Sequence, residues 1–114
     1  MANTYAFKSV TVDDIGTSPV DVLTMPAGKN AVIIGFNIAN KLGTDVEVDI
    51  SVTKAGSGAA ATLIGNNIEI LANGSQNVFD TMKHVLEAGD KLSVFSDTAT
   101  SVDVVLSYLE ETVA

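Results

Sequence analysis

The sequence predicts an all-β protein: an antiparallel β-sandwich, jelly-roll or immunoglobulin-like, with seven to eight strands in a single domain over residues 1–114. Three observations carry that expectation. Val46, Val48, Ile50 and Val52 point one way while Glu47, Asp49 and Ser51 point the other, the period-two pattern of a strand buried on one face. A five-residue turn recurs as Met25-Pro26-Ala27-Gly28-Lys29, Leu71-Ala72-Asn73-Gly74-Ser75 and Leu86-Glu87-Ala88-Gly89-Asp90, each running large apolar, variable, small, Gly, polar. Glycine there lets the backbone reverse at little steric cost. No segment holds an i, i+3, i+4, i+7 apolar stripe over ten residues, and turn signals fall at the spacing of a sandwich or small barrel.

The elements follow in chain order. Phe7 to Val12 reads as a first strand, with Val10 and Val12 on one face, and Asp13 to Pro19 as a polar loop. Val20 to Met25 is a second strand stopped by Pro26. Ala31 to Ala39 is the most apolar segment and is expected to be a central strand covered on both faces or nearly so. Asn40 to Asp45 then turns the chain into the alternating strand, and the two strands are expected to form a hairpin.

Ala55-Gly56-Ser57-Gly58-Ala59-Ala60-Ala61 reads as an exposed loop, with room for one helical turn over Ala59 to Ile64. Asn67 to Leu71 is a strand closed by Asn73-Gly74, a strong hairpin signal, with Gln76 to Phe79 expected to pair after it. Asp80 to Leu86 fits no single pattern. Leu92 to Ser96 is a strand, Asp97 to Ser101 a turn, and Val102 to Leu109 the last strand, with Val102, Val104, Leu106 and Tyr108 on one face. Glu110-Glu111-Thr112 is expected to end it in solvent.

Composition sets further bounds. At 114 residues the chain buries roughly two-thirds of its unfolded surface, enough for one core. Apolar residues make up 46% but aromatics only 5%, so the core is aliphatic, led by fifteen valines that suit a pleated surface. Cysteine is absent, which excludes disulfides, thiolate metal sites and a cysteine nucleophile. The net charge is −8 and arginine is missing, so neither nucleic acid nor an anionic membrane surface is expected as a partner. The first eight residues lack a basic start followed by an apolar run, so no secretory signal is expected there. The longest unbroken apolar run, Ala31 to Ile34, is too short to span a bilayer as a helix.

Chemistry-bearing residues are few. His84 is the single histidine, and without cysteine or a second histidine it is expected to be a half-exposed residue at a strand end. Asp13-Asp14 and Glu110-Glu111 are adjacent acids. On a strand such neighbours point to opposite faces, and the spaced acidic pattern of a calcium loop is missing. Asp45, Glu47 and Asp49, with Asp103 on the last strand, read as charges that guard an edge strand, or else as a docking stripe for a basic partner. Gly56-Ser57-Gly58 lacks the Gly-Lys-Ser/Thr close of a phosphate cradle. Tyr5 and Phe7 either seal the core or ride on an N-terminal arm, residues 1–6, that reaches a neighbouring subunit. No catalytic, cofactor-binding or metal-binding residue is assigned, and no enzymatic activity is expected.

Three stretches carry a family resemblance. Met25-Pro26-Ala27-Gly28-Lys29-Asn30-Ala31-Val32-Ile33-Ile34, with Asn37-Ile38-Ala39-Asn40 at the strand end, resembles the proline-alanine-glycine turn and apolar strand of small β-sandwich virion proteins of tailed bacteriophages. Val85 to Val94 resembles their leucine-x-x-glycine-aspartate-x-leucine turn, and Val102 to Glu111 resembles their closing strand. The likeness covers residues 20 to 111 and rests on turn motifs.

The resemblance implies a virion structural protein, a head decoration or cement protein that stabilises the capsid shell, or else a tail, neck or fibre-base component. It implies the major capsid protein or other virion proteins as partners, a homo-oligomer with a trimer favoured, and a location in the virion after assembly in the host cytoplasm. A ligand-binding sandwich, for carbohydrate or calcium, is the reading from another class; the absence of tryptophan speaks against a sugar platform.

Overall fold

A computed structural model describes residues 2–55, 61–78 and 84–114. Among the described residues nine strands form two antiparallel sheets. The first sheet orders β1 (Thr4–Ile15), β9 (Val102–Thr112), β3 (Lys29–Asn40) and β6 (Ser75–Asn77), with β7 (Val85–Leu86) also paired to β3. The second orders β2 (Val20–Thr24), β8 (Lys91–Ser96), β4 (Val46–Thr53) and β5 (Ala61–Ile70). This is the expected sandwich, one strand richer than the upper expectation because β7 is a two-residue element.

Alternation decides which side chains meet between the layers. Ile33, Phe36 and Ile38 of β3, with Val104 and Leu106 of β9, face Val48 and Ile50 of β4 and Leu92 and Val94 of β8, and all are at most 1% exposed. Each such side chain contributes roughly 1.5–3 kcal/mol by leaving water. The inward set predicted for the last strand, Val102, Val104, Leu106 and Tyr108, is buried as expected.

The recurrent turn is real, and two of its copies meet. Gly28 and Gly89 both adopt left-handed backbone, φ +76° and +87°. The Met25 amide donates to Asp90 O and the Gly89 amide to Met25 O, each at 2.9 Å, so the two turns close one end of the sandwich together. In the third copy the left-handed residue is Asn73, φ 55°, with Gly74 following in an ordinary conformation.

Both hairpins expected from the sequence are corrected. β3 and β4 belong to different sheets, as do β5 and β6, so each connection is a crossover between layers. Asn40 shows why. Its buried side-chain amide donates to Thr44 O, Ile70 O and Leu71 O, and its Oδ1 accepts from the Leu42 amide. One asparagine thus fastens both crossovers, and the Asn73-Gly74 turn supplies a carbonyl to the Asn40 amide. The turn chemistry is local, whereas the choice of sheet is made by which apolar face each strand can bury.

Four further expectations change. β3 is not covered on both faces: Val32 and Ile34 are 37% and 39% exposed on its outer side. β4 is not an edge strand, since β8 and β5 flank it, and β9 lies between β1 and β3. The carboxylates of Asp45, Glu47, Asp49 and Asp103 therefore do not guard an edge. Glu110 does not end the last strand in solvent but is 6% exposed, because β1 and β3 continue alongside it to Thr112. Residues from Ala61 onward are strand, not helical turn. Gly56-Ser57-Gly58 and the segment 79–83 lie outside the described residues.

Candidate functional site

The outer face of the first sheet carries an apolar row in register. Phe7 of β1 sits opposite Leu109 of β9, Leu109 opposite Val32 of β3, and Val32 opposite Val85 of β7. Four adjacent strands thus place one apolar side chain each on a straight line across the sheet, at cross-strand spacing. Phe7 is 80% exposed and Val85 58%. Around the row lie Tyr5, Ile34 and Val105, so six of the nine large exposed hydrophobic residues among those described share this face. Contiguous apolar patches on folded surfaces are a common feature of docking sites.

A β-bulge widens the row. Ile33 pairs with Tyr108 and Gly35 with Ser107, which leaves Ile34 as the extra residue, turned outward. Beside it, Phe7, Ile34, Ser9 and Ser107 line a shallow cleft of about 280 Å³.

The next register line is polar. Tyr5 lies opposite Glu111, and Glu111 opposite Asn30. The Glu111 carboxylate accepts from Asn30 Nδ2 at 3.1 Å, Asn3 Nδ2 at 3.0 Å and Tyr5 Oη at 3.2 Å. These three donors hold its carboxyl below the usual carboxylate range, Asn30 foremost. Between this line and the apolar row lies a cleft of about 310 Å³, bounded by Tyr5, Val32, Val85, Leu109, Glu87 and Glu111.

On the opposite side of β9, Glu110 bridges three strands. Lys8 Nζ and Lys29 Nζ reach its Oε1 at 3.1 and 3.2 Å, and they hold its carboxyl below the usual range, Lys8 first, against the opposing effect of burial. The pairing fixes β1 and β3 against β9 where Phe7, Val32 and Leu109 line up. Asp90 anchors the adjoining turns. Burial alone would raise its pKa, but Lys54 and the amides of Ala55 and Glu87 outweigh burial and hold it down.

The outer face of the second sheet has a different character. Glu47 stands opposite Glu69, Asp49 is on the same face, and Asp21 accepts from Ser93 Oγ on the neighbouring strand. Carboxylates thus gather on this outer face, although Leu63 and Phe95 share it, whereas the apolar row lies on the other side of the sandwich.

The residues singled out from sequence sort as follows. Tyr5 and Phe7 do not seal the core; both lie on the apolar face, with Thr4 to Ala6 paired to β9. Asp13 and Asp14 form a bulge in β1, where Asp14 (φ 60°) and Asp103 both pair with Lys41. His84 is half-buried just before β7, with its carbonyl accepting from the Ile33 amide. Among the described residues no three histidine, cysteine, aspartate or glutamate side chains group as a metal site. Sequence reasoning missed Leu109, Val32 and Val85 as partners of Phe7. Their signal was faint but present, since Val105 and Leu109 are apolar at the polar phase of β9.

No protein-family model and no curated protein sequence matches the chain. Solved structures match in fold. One chain from Bacillus endospore appendages, described as a family of disulfide-linked pili, aligns at TM-score 0.60 and 14% identity, over 100% of this chain and 93% of that one. A chain of infectious bursal disease virus, Gx strain, aligns at TM-score 0.52 and 11% identity, over 96% of this chain and 32% of that one. At these identities the likeness speaks to the sandwich fold alone, and this chain spans about a third of the viral one.

Proposed function

We propose that the chain is a structural subunit of a virion, which docks through the outer face of its first sheet and acts by binding rather than by turnover. The observation that carries this reading is the in-register row Phe7, Leu109, Val32 and Val85 on a face with few charges. Covering such a row removes apolar surface from water at roughly 25 cal/mol per Å². The acidic second sheet then faces solvent and limits non-specific association.

Within that role, a head decoration or cement protein on the major capsid protein is the finer assignment. It follows the resemblance of the Met25–Ile34 and Val85–Val94 turns to small virion sandwiches of tailed phages. Cyclic presentation, as a trimer, would let several weak contacts reinforce one another on a symmetric shell. A tail, neck or fibre-base position uses the same face.

The second reading is a subunit of a pilus-like filament, favoured by the fold shared over 93% of the endospore-appendage chain. A disulfide-linked filament would need cysteines, and this sequence has none. Cosedimentation with purified capsid shells tests the assignment: binding that Phe7→Ser abolishes is expected. A chain that ignores shells yet polymerises alone would support the filament reading instead.

A further inference from the structure

We propose that the cleft beside the apolar row seats a basic side chain, arginine in preference to lysine, presented by a different protein of the assembly. The stem would lie on Val32, Val85 and Leu109 and the charged end at Glu111. This rests on the docking reading above and names what the partner brings to it.

The lining argues for a side chain that is apolar along its length and charged at its tip. Val32, Val85 and Leu109 supply apolar contacts, Tyr5 an aromatic wall, and Glu87 and Glu111 the charged rim of about 310 Å³ of space. Long basic side chains bury their stems on such surface and keep the head at its edge. A guanidinium is more weakly hydrated than an ammonium, so it gives up less on entering.

The charges argue for a cation. Glu111 is held by three neutral donors, Asn30, Asn3 and Tyr5, and among the described residues no lysine pairs with it. Its charge is fixed in place but not neutralised, and one of roughly four acceptor positions is left over. At the opposite rim, among the described residues, one ammonium, Lys54, serves both Glu87 and Asp90. Among the described residues, both sides of the cleft therefore carry more carboxylate than ammonium.

A second copy of the chain is poorly suited to supply the cation. The sequence contains no arginine and carries a net charge of −8. Lys8, Lys29, Lys41 and Lys54 each already bind a carboxylate of their own chain.

The test is a titration of the full-length, methyl-labelled protein with three capped tripeptides, acetyl-Ala-X-Ala-amide, where X is arginine, its neutral isostere citrulline, or norleucine. The arginine peptide is expected to shift the methyl signals of Val32, Val85 and Leu109. It should bind roughly three- to five-fold more tightly than the citrulline peptide, the range of a solvent-accessible ion pair. Glu111→Gln should remove that preference while leaving the melting temperature close to the parent's, and Glu87→Gln should reduce it in part. Equal binding of arginine and citrulline, tightest binding of norleucine, or no shift with any peptide would each overturn the assignment. So would the same shifts on raising the protein concentration alone, which would make a second copy the occupant. If the parent chain cosediments with shells but shows no arginine preference, only the cleft assignment falls. If it shows the preference but binds no shell, the docking reading falls instead.

Discussion

Asn40→Ala is expected to unlatch both crossovers between the sheets. In the folded chain Asn40 Nδ2 donates to Thr44 O at 2.8 Å and to Ile70 O at 3.0 Å, and Oδ1 accepts from the Leu42 amide at 2.9 Å. Alanine removes these three bonds and, with them, the longer contact of the same amide with Leu71 O. The Ile70 carbonyl bond is fully buried, so that acceptor loses its donor where water does not readily replace it. One stranded buried group costs about 1–3 kcal/mol and each of the two half-buried bonds about 0.5–1.5, for a sum near 2–6 kcal/mol. For a chain of 114 residues this lowers the melting temperature by roughly 8–25 °C. Differential scanning calorimetry of parent and variant, with a urea titration to check that the slope is unchanged, measures it directly. Asn40→Asp should be destabilised as well, because a carboxylate would face three carbonyl oxygens. A drop under about 3 °C for Asn40→Ala would refute the reasoning, since it would place the loss below about 1 kcal/mol.

Other outcomes follow from the same geometry. Phe7→Ser should change stability by less than about 1 kcal/mol, since the side chain is 80% exposed, while abolishing docking; urea melts and cosedimentation measure the two effects separately. Gly89→Ala should cost more than Gly28→Ala. Both force alanine into left-handed backbone, at about 1–2 kcal/mol, but a Cβ at 89 also meets Ala55 Cβ at 2.7 Å whereas at 28 it meets nothing. Thermal melts of the two variants should rank in that order. Acid should destabilise the fold through Glu110 and Asp90. Their folded pKa values lie below the unfolded ones, so the stability they confer is present above the ordinary carboxylate range and is lost as pH falls through it. Urea midpoints measured from pH 7 down to pH 3 should decline below about pH 5, and Glu110→Gln should flatten that decline.

The layers were legible because alternation is a local signal. Val46 to Val52 and Val102 to Tyr108 declare their buried faces residue by residue, and every inward position they predict is buried. The pairing was not legible, because a turn such as Asn73-Gly74 reports that the chain reverses but not which sheet receives it. That decision rests on which apolar face each strand can bury, and Asn40, which fastens the result, has hydrogen-bond partners four and some thirty residues away. The buried state of Glu110 was hidden for a related reason. A carboxylate near a chain end reads as solvated until Lys8 and Lys29 are brought beside it from strands distant in sequence.

The apolar row lay between these cases. Phe7 stood out as one of six aromatic residues. Val32 was masked by the uniformly apolar run Ala31 to Ile34, which suggests burial on both sides. Only the register of β1, β9, β3 and β7 reveals that Phe7, Leu109, Val32 and Val85 share one line on one face. Cross-strand rows depend on pairing, and pairing is set by contacts too distant for a reading along the chain.

Hydroxyl-radical footprinting of the chain, free and bound to capsid shells, tests the docking face most directly. Tyr5, Phe7 and Leu109 should lose reactivity on binding, while Leu63 and Phe95 on the outer side of the second sheet should not change. Protection of Leu63 and Phe95 with Phe7 still reactive would contradict the account.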